Sequence, residues 1–234
     1  MHPLEQLRYV ARGWESMDDL PVTEVAEVLA SLAGESPATL LHACRRLIEY
    51  FPASGRLWWL SARALAAPDP VEGIWEAADE LLEDPTGKRL AEALPAGAGV
   101  SVLGPVATAV ASTLRRRRAE QKTGPKKGRG PAMLLASALA AGPEGLLVQA
   151  GAAWQLEDLV ERGRTVWAVV PRGTVLPGAL WEQLLERARS AGGVDVVSPG
   201  SFSALAGPDG LSGEHELLSS PTCPAVAELL GWRS

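Results

Sequence analysis

The sequence is short of the residues from which most enzyme sites are built. Its 234 residues hold two cysteines, Cys44 and Cys223, and three histidines, His2, His42 and His215. None belongs to a CxxC or a His/Cys cluster, so neither a zinc site of the usual spacing nor a disulfide framework is expected. A Gly-x-Gly-x-x-Gly string is missing as well, which removes the dinucleotide fingerprint; no cofactor is expected. No run approaches the ~20 apolar residues of a membrane span. The stretch Met1–Tyr9 carries Glu5 and Arg8 where a secretory leader would have an apolar core. The expectation is a cytoplasmic protein with no membrane attachment.

What is present suits a protein with ordinary cores: 47% apolar against 21% charged residues, enough for one large domain or two small ones. The net charge of -6 is unevenly spread. Residues 115–130 hold Arg115, Arg116, Arg117, Arg118, Lys122, Lys126, Lys127 and Arg129 against Glu120 alone, a net +7 from eight cations and one carboxylate. The rest of the chain therefore carries −13. An acidic body with one basic segment meets an anionic partner locally or not at all.

The first 95 residues repeat helix signals. Residues 22–33 carry apolar side chains at helical spacing and stop at Gly34. Ser36-Pro37 and Asp69-Pro70 are caps followed by proline at the first helical position, and Ser54 and Asp84-Pro85 open two more helices. This half reads as a helical bundle, residues 1–95. His42 and Cys44, two apart on one helix, point away from each other and read as core or interface residues. The carboxylates Asp79, Glu80, Glu83 and Asp84 read as a solvated helix end. In Trp58-Trp59 the adjacent indoles cannot both face one stripe, so one is expected to meet the second half or a partner.

Beyond Pro95–Gly99 the pattern changes. Strands are expected near Val100–Leu103, Met133–Leu139, Leu146–Gln149, Thr165–Val170 and Val194–Val197, and helices near Val106–Arg118, Trp154–Arg162 and Ala179–Ala191. Apolar strands alternating with helices predict a mainly parallel, Rossmann-like sheet with helices on both faces, residues 96–234. The fold class is thus α/β, a helical bundle followed by a small, truncated sheet domain. Met133–Leu139 and Leu146–Gln149 are too close for a crossover helix, leaving a hairpin or a turn back under the sheet. Residues 198–224, rich in Ser, Gly and Pro, are expected to wrap the surface, with Pro224–Leu230 docking as a helical turn or two.

Two glycine turns sit where ligands of open sheets bind, outside the C-terminal ends of the strands. Gly104 follows the first strand, and Gly151-Ala152 precedes a helix whose free N–H groups suit a phosphate or a carboxylate. The basic run lies on the opposite edge of the sheet, as the connection between a helix and the next strand. It reads as a solvated loop, with RNA contact through Arg115, Arg116, Arg117, Arg118, Lys126 and Lys127 as an alternative use.

The string Leu135-Ala136-Ser137-Ala138-Leu139, then Gly142-Pro143-Glu144-Gly145-Leu146-Leu147-Val148-Gln149-Ala150-Gly151-Ala152, then Val166-Trp167-Ala168-Val169-Val170-Pro171 resembles the translation initiation factor 2B alpha/beta/delta-subunit family. That family includes methylthioribose-1-phosphate isomerase. The N-terminal LLHACRRLIEYFPASGRLWWLSARAL is similar to short bacterial relatives. The resemblance implies a homodimer formed through the α/β half and a ligand crevice holding Gly104, Ser137, Gln149, Gly151 and Ala152. The family's catalytic aspartate falls on Ser137, its lysine on Gln149 and its threonine on Ala152, and neither Cys44 nor Cys223 matches its catalytic cysteine. The isomerases move protons with a carboxylate and a thiol, work that a neutral hydroxyl does not do unaided. The resemblance therefore implies a non-catalytic protein that binds a partner or a small phosphorylated ligand, a nucleotide or a sugar phosphate. The alternatives are an aldose–ketose isomerase with relocated groups and an RNA-binding accessory protein.

Overall fold

A computed structural model describes residues 22–104, 108–123, 132–213, 217–218 and 221–232. Five helices come first: α1 (Val22–Ala33), α2 (Pro37–Tyr50), α3 (Gly55–Ala66), α4 (Pro70–Leu82) and α5 (Thr86–Ala93). Their starts follow the sequence signals. Ser36 accepts the N–H of Thr39 at 3.1 Å, and Asp69 accepts those of Val71 and Glu72 at 2.9 and 3.2 Å, which satisfies first-turn donors that lack helical partners.

The second half contains β1 (Gly99–Leu103), α6 (Thr108–Thr123), β2 (Ala132–Ser137), β3 (Ala140–Gly142), β4 (Gly145–Gln149), α7 (Ala152–Glu161), β5 (Thr165–Val169), α8 (Gly178–Ala191), β6 (Val194–Val197), β7 (Ala204–Gly207) and β8 (Gly210–Ser212). One sheet has the order β1-β2-β5-β7-β8, parallel except for the last pair. The fold class is the α/β arrangement expected. A second, antiparallel sheet has the order β3-β4-β6.

The expected strand Met133–Leu139 is in fact two. Ala138 still donates to Val169 O in the main sheet, whereas Leu139 donates to Leu147 O in the small one, both at 2.8 Å. Apart from Leu139, the residues from Ala136 to Gly142 are small where the backbone changes sheets. The β3–β4 hairpin turns at Pro143-Glu144, and a Cβ on Gly142 would overlap the Trp181 indole.

Two further expectations are corrected and a third is narrowed. Residues 198–224 do not simply wrap the surface: Ala204–Gly207 is an inner strand with Leu205 and Ala206 buried. Its four residues are too few to show a strand period. The basic run is not all loop, since α6 continues through Thr123, five residues past the expected end. Arginine, lysine, glutamate and glutamine are good helix formers, and that propensity outlasts the charge repulsion. His42 is exposed on α2, so of the core and interface readings only the interface one is left.

The main sheet is covered on both sides. Met133, Leu135, Trp167 and Val169 pack with Leu90 of α5, with Leu94 just after it and with Val110 of α6. Ala136, Val166, Ala168 and Leu205 pack with the small sheet and with Leu156 of α7. The largest core is shared by α1–α4, β3, α8 and the C-terminal segment, so apolar packing runs without a break from the helical half into the second half. Both Trp58 and Trp59 are fully buried in it. Trp58 donates to Pro52 O at 3.0 Å and lies 5.8 Å from Trp232. Trp59 donates to Thr222 Oγ1 at 3.2 Å, so both indoles meet the C-terminal segment. Among the described residues no helix is long and apolar enough to cross a membrane, and no group of His, Cys, Asp and Glu is placed to hold a metal.

Candidate functional site

The five expected crevice residues come from three chain segments: Gly104 after β1, Ser137 at the end of β2, and Gln149, Gly151 and Ala152 around the turn from β4 into α7. β1 and β2 pair with Leu103 beside Ala136, so one step further sets Gly104 beside Ser137. The hairpin pairs Ala140 with Leu147, and β4 runs on from there to Gln149. Gly104 has φ +73°, and a Cβ built there would stand 3.9 Å from both Cβ and Oε1 of Gln149. Gly151, with φ +82°, turns the chain from β4 into α7. Positive φ favours glycine at both turns. Ser137 and Ala152 are buried, whereas Gly104 and Gln149 form an exposed rim.

Two of the N–H groups at the start of α7 are already used. Asp195, on the neighbouring strand β6, accepts from Gly151 N at 2.8 Å and from Ala153 N at 3.4 Å through one oxygen, Oδ2. A carboxylate at a helix N-terminus gains from both the free donors and the helix dipole. The anion expected at this turn is thus the chain's own side chain. An aspartate inside the apolar run Val194-Asp195-Val196-Val197 signals that it has a partner, though not which one. On the same first turn Trp154 stands 64% exposed, an unusual position for an indole.

Sequence reasoning also missed the loop after β5. Arg172 Nη1 meets Glu80 Oε2 at 3.3 Å, and Arg63 Nη2 meets Glu80 Oε1 at 2.9 Å. The acidic helix end is therefore a tie between halves. A cavity of about 160 Å³ opens here, lined in part by Pro171, Arg172, Val175, Asp209 and Thr222. It lies outside the C-terminal ends of β5 and β7, where ligands of open sheets bind.

Both thiols lie in the largest core, among helical side chains. Burial pushes Cys44 up to about 12. Burial likewise pushes Cys223 up to about 12, against the opposing charge of Arg63. Neither supplies a thiolate near neutral pH.

The basic segment divides. Arg117 donates to the carbonyl oxygens of Ala91, Leu94 and Pro95 at 2.5–2.8 Å, closing the C-terminal end of α5. Arg115 and Arg116 are exposed. Arg118 belongs to α6, while Lys126 and Lys127 lie outside the described residues.

No protein-family model matches the chain, and no curated protein matches it. Solved structures do. The translation initiation factor eIF-2B of Pyrococcus horikoshii OT3 matches with TM-score 0.66 and 13% identity, over 92% of this chain and 98% of that one. A chain of the tetrameric eIF2B-beta2-delta2 complex from C. thermophilum matches with TM-score 0.63 and 15% identity, over 92% of this chain and 91% of that one. The 5-methylthioribose 1-phosphate isomerase of P. horikoshii OT3 matches with TM-score 0.56 and 13% identity, over 91% and 84%. The chain has the fold these proteins share; the resemblance read from residues 133–171 holds at the level of fold.

Proposed function

We propose that this chain, built on the fold of the eIF2B subunits and the isomerase, is a non-catalytic, eIF2B-like protein. It works by binding a partner protein at the C-terminal edge of its main sheet. The observation that carries the reading is Asp195: the helix N-terminus where a ligand's phosphate would sit is closed from within. The hydroxyl at Ser137 and two thiols deep in the core give the crevice no proton-handling pair. Trp154 beside that rim offers the exposed aromatic anchor on which protein interfaces concentrate their binding energy. The structural neighbours include a subunit of a tetrameric assembly, in keeping with a homodimer formed through the α/β half.

A second reading is a small phosphorylated ligand, a nucleotide or a sugar phosphate. The cavity beside Arg172 favours it, because a guanidinium is a ready partner for phosphate. Thermal-shift titration with sugar phosphates and nucleotides, on the wild type and on Asp195→Ala, decides between the two. Partner binding predicts no stabilisation of the wild type by ligand at about 1 mM, a concentration that detects even weak affinity. Stabilisation of the wild type that Arg172→Ala abolishes establishes the ligand instead. Light scattering that shows a monomer at every concentration removes the homodimer.

A further inference from the structure

Strand β1 stands at one edge of the main sheet, with β2 on one side and no described strand on the other. Its residues, Gly99–Leu103, contain no charge and no proline, two of the devices that protect a sheet edge from pairing. Ser101 and Val102 are exposed. A groove of about 790 Å³ runs here, and Val100, Ser101 and Val102 all line it. Successive side chains leave opposite faces of a strand, so a groove touching all three follows the edge and not one face. Its other wall is α6, through Ala111, Leu114 and Arg115.

The charge of this groove is one-sided. Among the described residues Arg115 and Arg117 line it and no carboxylate does, on a chain whose net charge is -6. Arg117 is held by carbonyl oxygens, which fix the guanidinium without cancelling its charge.

We propose that the β1 edge docks an extended, acidic segment of a partner protein, which adds a strand to the sheet and sets a carboxylate against Arg115 and Arg117. Strand addition supplies main-chain hydrogen bonds for affinity, and alternate side chains supply specificity. The lining separates the occupants. A nucleic acid would meet two arginines amid alanine, valine and leucine, a poor surface for a binding mode driven by phosphate contacts. A second copy pairing β1 with β1 would bring arginines towards arginines, with no carboxylate on Gly99–Leu103 to meet them. An acidic strand satisfies the open ladder, the apolar wall and the charge together. Among the described residues the groove touches the C-terminal crevice only at Gly104, and the proposal stands apart from the reading of that crevice.

The probe is a fluorescent synthetic peptide of alternating valine and threonine with glutamate at both ends; its glutamine-ended twin is the control. Binding to the full chain is followed by anisotropy, and amide exchange locates it. Saturable binding below about 1 mM is expected, with slowed exchange across Gly99–Leu103. Affinity should fall at least about tenfold in Arg115→Glu, where a like charge faces the peptide, and in Val102→Lys, with melting temperatures unchanged. No binding, equal binding of the twin, or protection elsewhere than β1 would overturn the proposal. So would preference for a single-stranded oligonucleotide, or a dimer in light scattering that Val102→Lys dissolves.

Discussion

The backbone N–H of Arg172 donates to Asp84 Oδ2 at 3.1 Å, which ties the loop after β5 to the start of α5. The other carboxylate oxygen, Oδ1, accepts from both the N–H and the hydroxyl of Thr86, at 3.0 and 2.6 Å. One side chain thus opens a helix and holds a wall of the small cavity. Asp84→Ala should lower stability by about 1–2 kcal/mol, in the range of a lost cap. Asp84→Asn, which keeps an acceptor, should lose less. Urea unfolding of the three proteins checks the order.

Arg117 and Arg116 are neighbours with different work. Arg117→Ala removes charge-assisted bonds to three carbonyl oxygens at the end of α5, and should cost about 1–3 kcal/mol. Arg116→Ala, at an exposed position, should stay within about 0.5 kcal/mol of the wild type. Melting curves of the two variants give the comparison, and equal losses would remove the capping role.

Helix starts at Ser36 and Asp69 were legible because capping chemistry is local. The parallel main sheet was legible from its apolar runs. A Cβ on Gly104 would stand 3.9 Å from the Gln149 side chain, so these two turns are neighbours in the fold. The rest depended on long-range partners. Glu80 looked solvated because Arg172 lies 92 positions away. The α7 N-terminus looked free because Asp195 lies 44 positions from Gly151. Ala204–Gly207 carries too little pattern to declare itself a strand until β5 lies beside it.

The thiols make a prediction about pH. An unfolded thiol ionises near its ordinary value of 9.0, while the folded Cys44 and Cys223 keep their protons to about 12. The unfolded state therefore sheds protons first, and stability falls as pH rises through that window. Below pH 9 both contributions are fully present. Cys44→Ala should lose less stability than the wild type between pH 8 and pH 10, both measured by denaturant unfolding. At pH 8 the native protein should hardly react with a thiol reagent, and both cysteines should react once it is unfolded.

Deuterium incorporation bears most directly on the claim that the crevice does no proton chemistry. The protein would be incubated with a pentose 1-phosphate in heavy water, and carbon-bound hydrogen followed by NMR. The account predicts no exchange above the protein-free rate, in the wild type and in Ser137→Ala alike. Exchange at an enzyme-like rate, lost in Ser137→Ala, would contradict it.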